Sequence, residues 1–182
     1  KVLSSKRGKI ESSVKMFVEQ QILAQPEVRD LVSISGPNSL RAMLGITEAE
    51  AMSAINELVG VIVGAITVNV KRFDSNLNGG LDLTISGVDA SSITSGIKRV
   101  PNSQLNWLEW LLTKGDTPII IGYRYSASDK GRTGGGIMKR GGVFRIPPEY
   151  SGTEDNNFIT RALLGEYPQQ QIAKIIEREL NV

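Results

Sequence analysis

With 182 residues, 21 basic and 19 acidic side chains and a formal net charge of +2, the chain is long enough for one domain with a real core. Its near-neutral balance excludes a protein that coats nucleic acid over its whole surface, so any such contact must be local. The absence of Cys and His removes disulfides, thiolate chemistry, zinc sites of the usual kind and the commonest general base, and fits folding by packing alone in a cytoplasm.

Between Lys9 and Gln25 the apolar residues Ile10, Val14, Phe17, Ile22 and Leu23 approach helical spacing, and Pro26 punctuates the end. The spacing predicts an amphipathic first helix. A short second turn is expected from Pro26 to Val32, because proline is tolerated where its missing N–H has no helical partner. Ser35-Gly-Pro-Asn38 reads as a turn and Ser39 to Leu44 as a brief helix. Thr47-Glu-Ala-Glu50 has the spacing of a capping box, which predicts a helix from Glu48 to about Val59.

The period then changes from helical to two. Ile66, Val68 and Val70 alternate with Thr67, Asn69 and Lys71, and beyond Asp74–Gly80 the residues Leu81, Leu83 and Ile85 alternate with Asp82 and Thr84. Two antiparallel strands follow. The apolar run from Leu58 to Val70 is broken by Gly60, Gly64, Thr67 and Asn69, and is too short for a membrane span. No secretory leader is expected, and a chain that starts at Lys1 leaves room for residues upstream.

Asn102 to Lys114 carries Leu105, Leu108, Trp110 and Leu111 at helical spacing before Gly115, a suitable stop. Ile119–Tyr125 is a predicted third strand and Gly142–Ile146 a fourth. Helices are expected over Asn157–Leu164 and Gln169–Leu180, separated by a stop at Gly165 to Pro168, with Ile172, Ile175, Ile176 and Leu180 on one face of the second. The expected architecture is α+β: a single domain over residues 1–182, with a small antiparallel sheet flanked by N-terminal and C-terminal helices and a long glycine-rich loop.

That loop, a flexible basic segment over residues 126–142, is the most distinctive feature. Six residues between Gly131 and Gly142 are glycine, and no acid, cysteine or histidine stands among them. Neither a Walker motif nor a strand-to-helix dinucleotide fingerprint is present, which argues against a nucleotide site. Lys130, Arg132, Lys139 and Arg140 form a cationic group, with Arg124 nearby, suited to a phosphate backbone or to a neighbouring subunit's acidic surface. A loop of this length inside a compact domain is usually functional or disordered; the bland alternative is a solvated extension without a partner.

Glu149, Glu154 and Asp155 are the acidic cluster near the loop. Turn and helix-capping roles account for them more simply than acid–base or metal chemistry, and Asp82 and Asp89 have no evident third ligand. No catalytic residue, cofactor or metal is expected. Trp107 and Trp110, three apart on one helix, are candidates for the core or for a subunit interface; one is expected inside and the other between subunits.

Arg145-Ile-Pro-Pro-Glu-Tyr-Ser-Gly-Thr153, followed by Asp155-Asn-Asn-Phe-Ile-Thr-Arg-Ala-Leu163, resembles the C-terminal part of the neck and tail-completion proteins of long-tailed bacteriophages, which join head to tail. Ser39-Leu-Arg ahead of a hairpin, Leu108-Glu-Trp-Leu-Leu-Thr-Lys-Gly115 between strands and a final helix complete a likeness from about Ser39 onward. The long loop departs from the compact core of that family.

The resemblance implies a structural virion protein and no enzyme: a homo-oligomeric ring in the neck, assembled in the host cytoplasm and located in the virion. Its partners would be portal-adaptor, other neck or tail proteins, with non-specific contact to genomic DNA in the channel and none with membrane. Under this reading the strand edges and Trp107 and Trp110 are subunit contacts, and Lys130, Arg132, Lys139 and Arg140 face DNA or a neighbouring ring. Two other classes compete with it. One is a monomeric or dimeric nucleic-acid-binding module using the basic loop; the other is a carboxylate–metal nuclease using Glu149, Glu154 and Asp155.

Overall fold

The computed structural model describes residues 2–71, 80–86, 106–129, 131 and 135–180. The fold is α+β, with two small antiparallel hairpins among helices where one central sheet was expected. Helix α1 spans Val2–Leu23, beginning before the expected Lys9, and buries Ile10, Val14, Val18 and Ile22. Their four-residue spacing keeps all four on one face, and that stripe is the floor of the core.

Helix α2 (Pro26–Val32) opens on its proline and buries Val28 and Leu31 beside α4. Helix α3 (Leu40–Leu44) is started by Ser39, whose hydroxyl accepts from the Ala42 N–H at 3.2 Å. Helix α4 (Glu48–Ala65) has the anticipated capping box: the Thr47 N–H donates to Glu50 at 2.7 Å, while Thr47 Oγ1 accepts from the Glu50 N–H at 3.3 Å. It runs past the expected end near Val59. Glycine in a helix costs about 1 kcal/mol relative to alanine, but Ile62, fully buried, extends the stripe of Ala51, Ile55, Leu58 and Val59 by another turn. Burying such a side chain is worth about 1.5–3 kcal/mol, so the helix continues through Gly60 and Gly64.

Strand β1 (Ile66–Lys71) follows α4 directly and pairs with β2 (Gly80–Ile85). The register sets Ile66 opposite Ile85, Val68 opposite Leu83 and Val70 opposite Leu81, so the two alternating apolar rows share one face. This face packs on α1, where Glu11 Oε2 also accepts from the Val68 N–H at 3.4 Å. Asp82 is held by Lys71 at 2.6 Å.

Helix α5 (Trp107–Leu112) contributes Trp107, Leu108, Leu111 and Leu112 to the core. The earlier part of the expected helix, from Asn102, and Asp89 lie outside the described residues. Strands β3 (Ile120–Ser126) and β4 (Ile137–Phe144) make the second hairpin. Helices α6 (Phe158–Leu164) and α7 (Glu166–Leu180) end the described chain, separated by Gly165 alone. Pro168, expected in a break, falls in the first turn of α7, where proline is harmless. Helix α7 lies along α1, clamped by Glu179, which takes Lys9 at 2.7 Å and Arg178 at 2.9 Å and accepts from the Ser13 hydroxyl at 3.3 Å. Among the described residues no helix is long and apolar enough to cross a membrane.

Candidate assembly surface

Residues 137–142 were expected in the glycine-rich loop, but they are strand. The ladder pairs Tyr123 with Arg140, Arg124 with Lys139, Tyr125 with Met138 and Ser126 with Ile137, which moves the start of β4 five residues ahead of Gly142. The ladder is irregular at one point. Between Ile121–Val143 and Tyr123–Arg140, Gly122 on one strand faces Gly141 and Gly142 on the other, all three with φ between +87° and +91°. L side chains rarely adopt that backbone, so these glycines form a bulge that bends the ribbon. Their composition, read in isolation, is indistinguishable from a loop.

The two ends of the ribbon are anchored. At its base the Ile119 N–H donates to the Phe144 carbonyl at 2.8 Å, and Arg145 reaches Asp116 at 2.6 Å. At its tip the Tyr125 hydroxyl donates to the Pro37 carbonyl at 2.6 Å and accepts from the Gly136 N–H at 2.7 Å. A Cβ at position 136 would lie 2.7 Å from Tyr125 Cζ, so this latch requires glycine there. Beside the tip a cleft of about 330 Å³ is lined by Ser39, Arg41, Thr47, Glu48 and Gly135. Its charges are already matched: Arg41 pairs with Glu48 at 3.2 Å and donates to the Leu31 carbonyl at 3.2 Å.

Between its anchors the ribbon stands in solvent. Ile121 is 79 % exposed and its cross-strand neighbour Val143 45 %, and Ile120, Tyr123, Ile137 and Met138 are exposed too. No third strand joins either edge among the described residues. A two-stranded ribbon is marginal by itself, and open apolar edges are what soluble proteins ordinarily shield.

Two of the four cations expected to act together are among the described residues. Lys130 and Arg132 lie outside the described residues. Lys139 and Arg140 are on β4, and Lys139 is bound to Asp129 at 2.6 Å, with Ser126 donating to the same carboxylate at 2.5 Å. Lys139, then Ser126, hold the Asp129 carboxyl below its ordinary pKa. Among the described residues of the ribbon, the cations without an ion-pair partner are Arg124 and Arg140, both exposed.

Trp107, expected among subunit contacts with Trp110, is 4 % exposed and belongs to the core. Trp110 is half-buried against the same core. The face carrying Trp107, Leu108, Leu111 and Leu112 points inward, and Trp110 falls at its margin.

Glu149, Glu154 and Asp155 are exposed, and no group of three such ligands able to hold a metal occurs among the described residues. Asn157 does the capping beside them. Its Oδ1 accepts from the Ile159 and Thr160 N–H groups at 3.0 Å each, and its Nδ2 donates to the carbonyls of Thr153 at 2.9 Å and Leu112 at 3.2 Å.

Two buried acids on α2 had no counterpart in the sequence reading. Glu27, 2 % exposed, takes the Arg161 guanidinium of α6, and Asp30 accepts from the Leu40 N–H at 3.1 Å, fixing the start of α3. Tyr150 has its pKa raised by burial and then by its hydrogen bond to Asp30. The i, i+3 spacing of the two acids was the available signal, though it is also common on solvated helix faces. No protein-family model, no curated protein and no solved structure matches the chain.

Proposed function

We propose that the chain is a structural virion protein of a tailed bacteriophage that assembles into a ring in the neck, joins the portal side of the head to the tail and lets DNA pass. The observation that supports this reading most is the β3–β4 ribbon, bent by its glycine bulge, pinned at base and tip, and apolar along open edges. A surface of that kind is costly in a monomer and is relieved by contact with another chain, and ring closure leaves no copy with an unused edge. The resemblance over residues 145–163 supplies the setting. Portal-adaptor, other neck and tail proteins are the adjoining partners, the virion is the location after assembly in the host cytoplasm, and no bond is made or broken.

Genomic DNA is a passing contact in this reading. Arg124 and Arg140 give each copy a sparse positive charge, and a channel through which a genome moves is better lined thinly than densely. The ion pair between Lys139 and Asp129 weakens the alternative of a dedicated nucleic-acid-binding module. Sedimentation of the purified chain over a wide concentration range tests the reading: association into a species of several copies is expected. A monomer at every concentration that binds duplex DNA with a steep salt dependence would favour the binding module instead.

A further inference from the structure

The corner between α6 and α7 is a second apolar surface left exposed among the described residues. Leu164 is 64 % exposed and Tyr167 60 %, and between them lies the exposed carboxylate of Glu166. The corner is firmly built. A Cβ on Gly165 would lie 2.7 Å from the Arg161 carbonyl oxygen, and Gln169 Nε2 caps the Leu164 carbonyl at 2.9 Å. Gln170 steadies Glu166 at 3.1 Å. Two large apolar side chains are thus exposed with one carboxylate between them in the sequence, at the opening turn of a long helix.

The ribbon is its counterpart in sign. Ile121 and Val143 offer apolar area, and Arg140, opposite Tyr123 in the ladder, offers positive charge. Ribbon against ribbon through this face would set Arg140 of one copy against Arg140 of the other, and like charges across an interface oppose association. Ribbon against corner buries apolar area on both sides and brings Arg140 to Glu166.

We infer that copies associate head to tail, the β3–β4 ribbon of one docking on the α6–α7 corner of the next. This rests on the self-association proposed above and names the two surfaces that carry it. Because the surfaces differ, the contact is heterologous and repeats around a ring, whereas a self-complementary contact would stop at a dimer.

Two variants give the test, each altering exposed residues only. A ribbon variant carries Ile121→Asp and Arg140→Ala; a corner variant carries Leu164→Asp and Glu166→Ala. Each is sedimented alone and in an equimolar mixture, with circular dichroism as the check on folding. The expected result is two monomers when separate and a heterodimer, with nothing larger, when mixed, since the intact corner of one accepts the intact ribbon of the other. Formation of that heterodimer also proves both variants folded. Should either variant lose its fold, Arg140→Ala and Glu166→Ala replace it, and at least a tenfold weaker association is expected of each.

Wild-type association that survives in either variant would overturn the inference, as would a mixture that stays monomeric while the wild type associates. Both outcomes leave self-association standing and refute only the choice of surfaces. A wild type that never associates would refute both.

Discussion

Asn157 is the joint on which α6, and with it the corner at Leu164, is mounted. Replacing it by alanine removes a cap worth about 1 kcal/mol and two buried amide hydrogen bonds of about 1 kcal/mol each. The Leu112 and Thr153 carbonyls and the Ile159 and Thr160 N–H groups are left without this partner. The expected loss is about 3 kcal/mol, and since 1 kcal/mol moves Tm by about 2–4 °C in a chain of this size, Tm should fall by about 6–12 °C. Asn157→Asp separates the two roles. It keeps the acceptor oxygen for the cap but points a carboxylate at two carbonyl oxygens, so at neutral pH it should be no more stable than Asn157→Ala. Acidification should recover part of the loss, because a protonated carboxyl regains one donor. The assay is a thermal melt followed by circular dichroism at pH 7 and at mildly acidic pH. An aspartate variant as stable as wild type at pH 7 would refute the reasoning, because the amide donors would then contribute nothing.

Glu179 is held below its ordinary pKa of 4.5, chiefly by Lys9 and then Arg178, against a smaller opposing effect of burial. The unfolded chain binds this proton more readily, so the stabilisation is fully present above pH 4.5 and is lost as pH falls through the lower folded value. The Tm gap between wild type and Glu179→Gln should therefore be widest near neutrality and shrink below pH 4.5; a gap independent of pH would contradict the clamp. Tyr125→Phe should leave global stability within about 2 kcal/mol while freeing the ribbon tip, seen as faster hydrogen exchange at the Gly136 amide, and unchanged exchange would show that the latch is not closed in solution. Gly152→Ala should destabilise by more than about 3 kcal/mol, because its Cβ would overlap the Leu111 carbonyl and lie 2.8 Å from Asn157 Cβ. A wild-type melting curve for that variant would mean that the 152–157 segment packs differently.

What was legible in the chain was local. The Thr47–Glu50 box, Pro26 at a helix start and the alternation of Ile66–Val70 with Leu81–Ile85 each carry their own geometric instruction, and each element forms where that instruction stands. The first turns of α1 were hidden because residues 4–9, Ser-Ser-Lys-Arg-Gly-Lys, carry no apolar side chain, so periodicity has nothing to report there. The start of β4 was hidden for another reason. Glycines at 141 and 142 argue for a loop until β3 is laid beside them, and only then does the bulge opposite Gly122 account for all three.

The candidate site was legible as chemistry more than as geometry. Basic residues, glycine and an absence of catalytic groups pointed to contact, but the apolar edge of the ribbon depends on which flanking residues the core leaves uncovered. The pairing of Lys139 with Asp129 depends on a hairpin connection bringing ten-residue neighbours together. Glu27 and Arg161 lie 134 positions apart, and a pair of that separation is set by the tertiary fold, in which α2 and α6 both contact α1, and which no short motif announces.

Reconstruction of the intact tailed particle by electron microscopy tests the central claim most directly. The account predicts a ring of copies at the joint between head and tail, with β3–β4 at the boundary between adjacent copies. Mature particles that lack this chain altogether would contradict it.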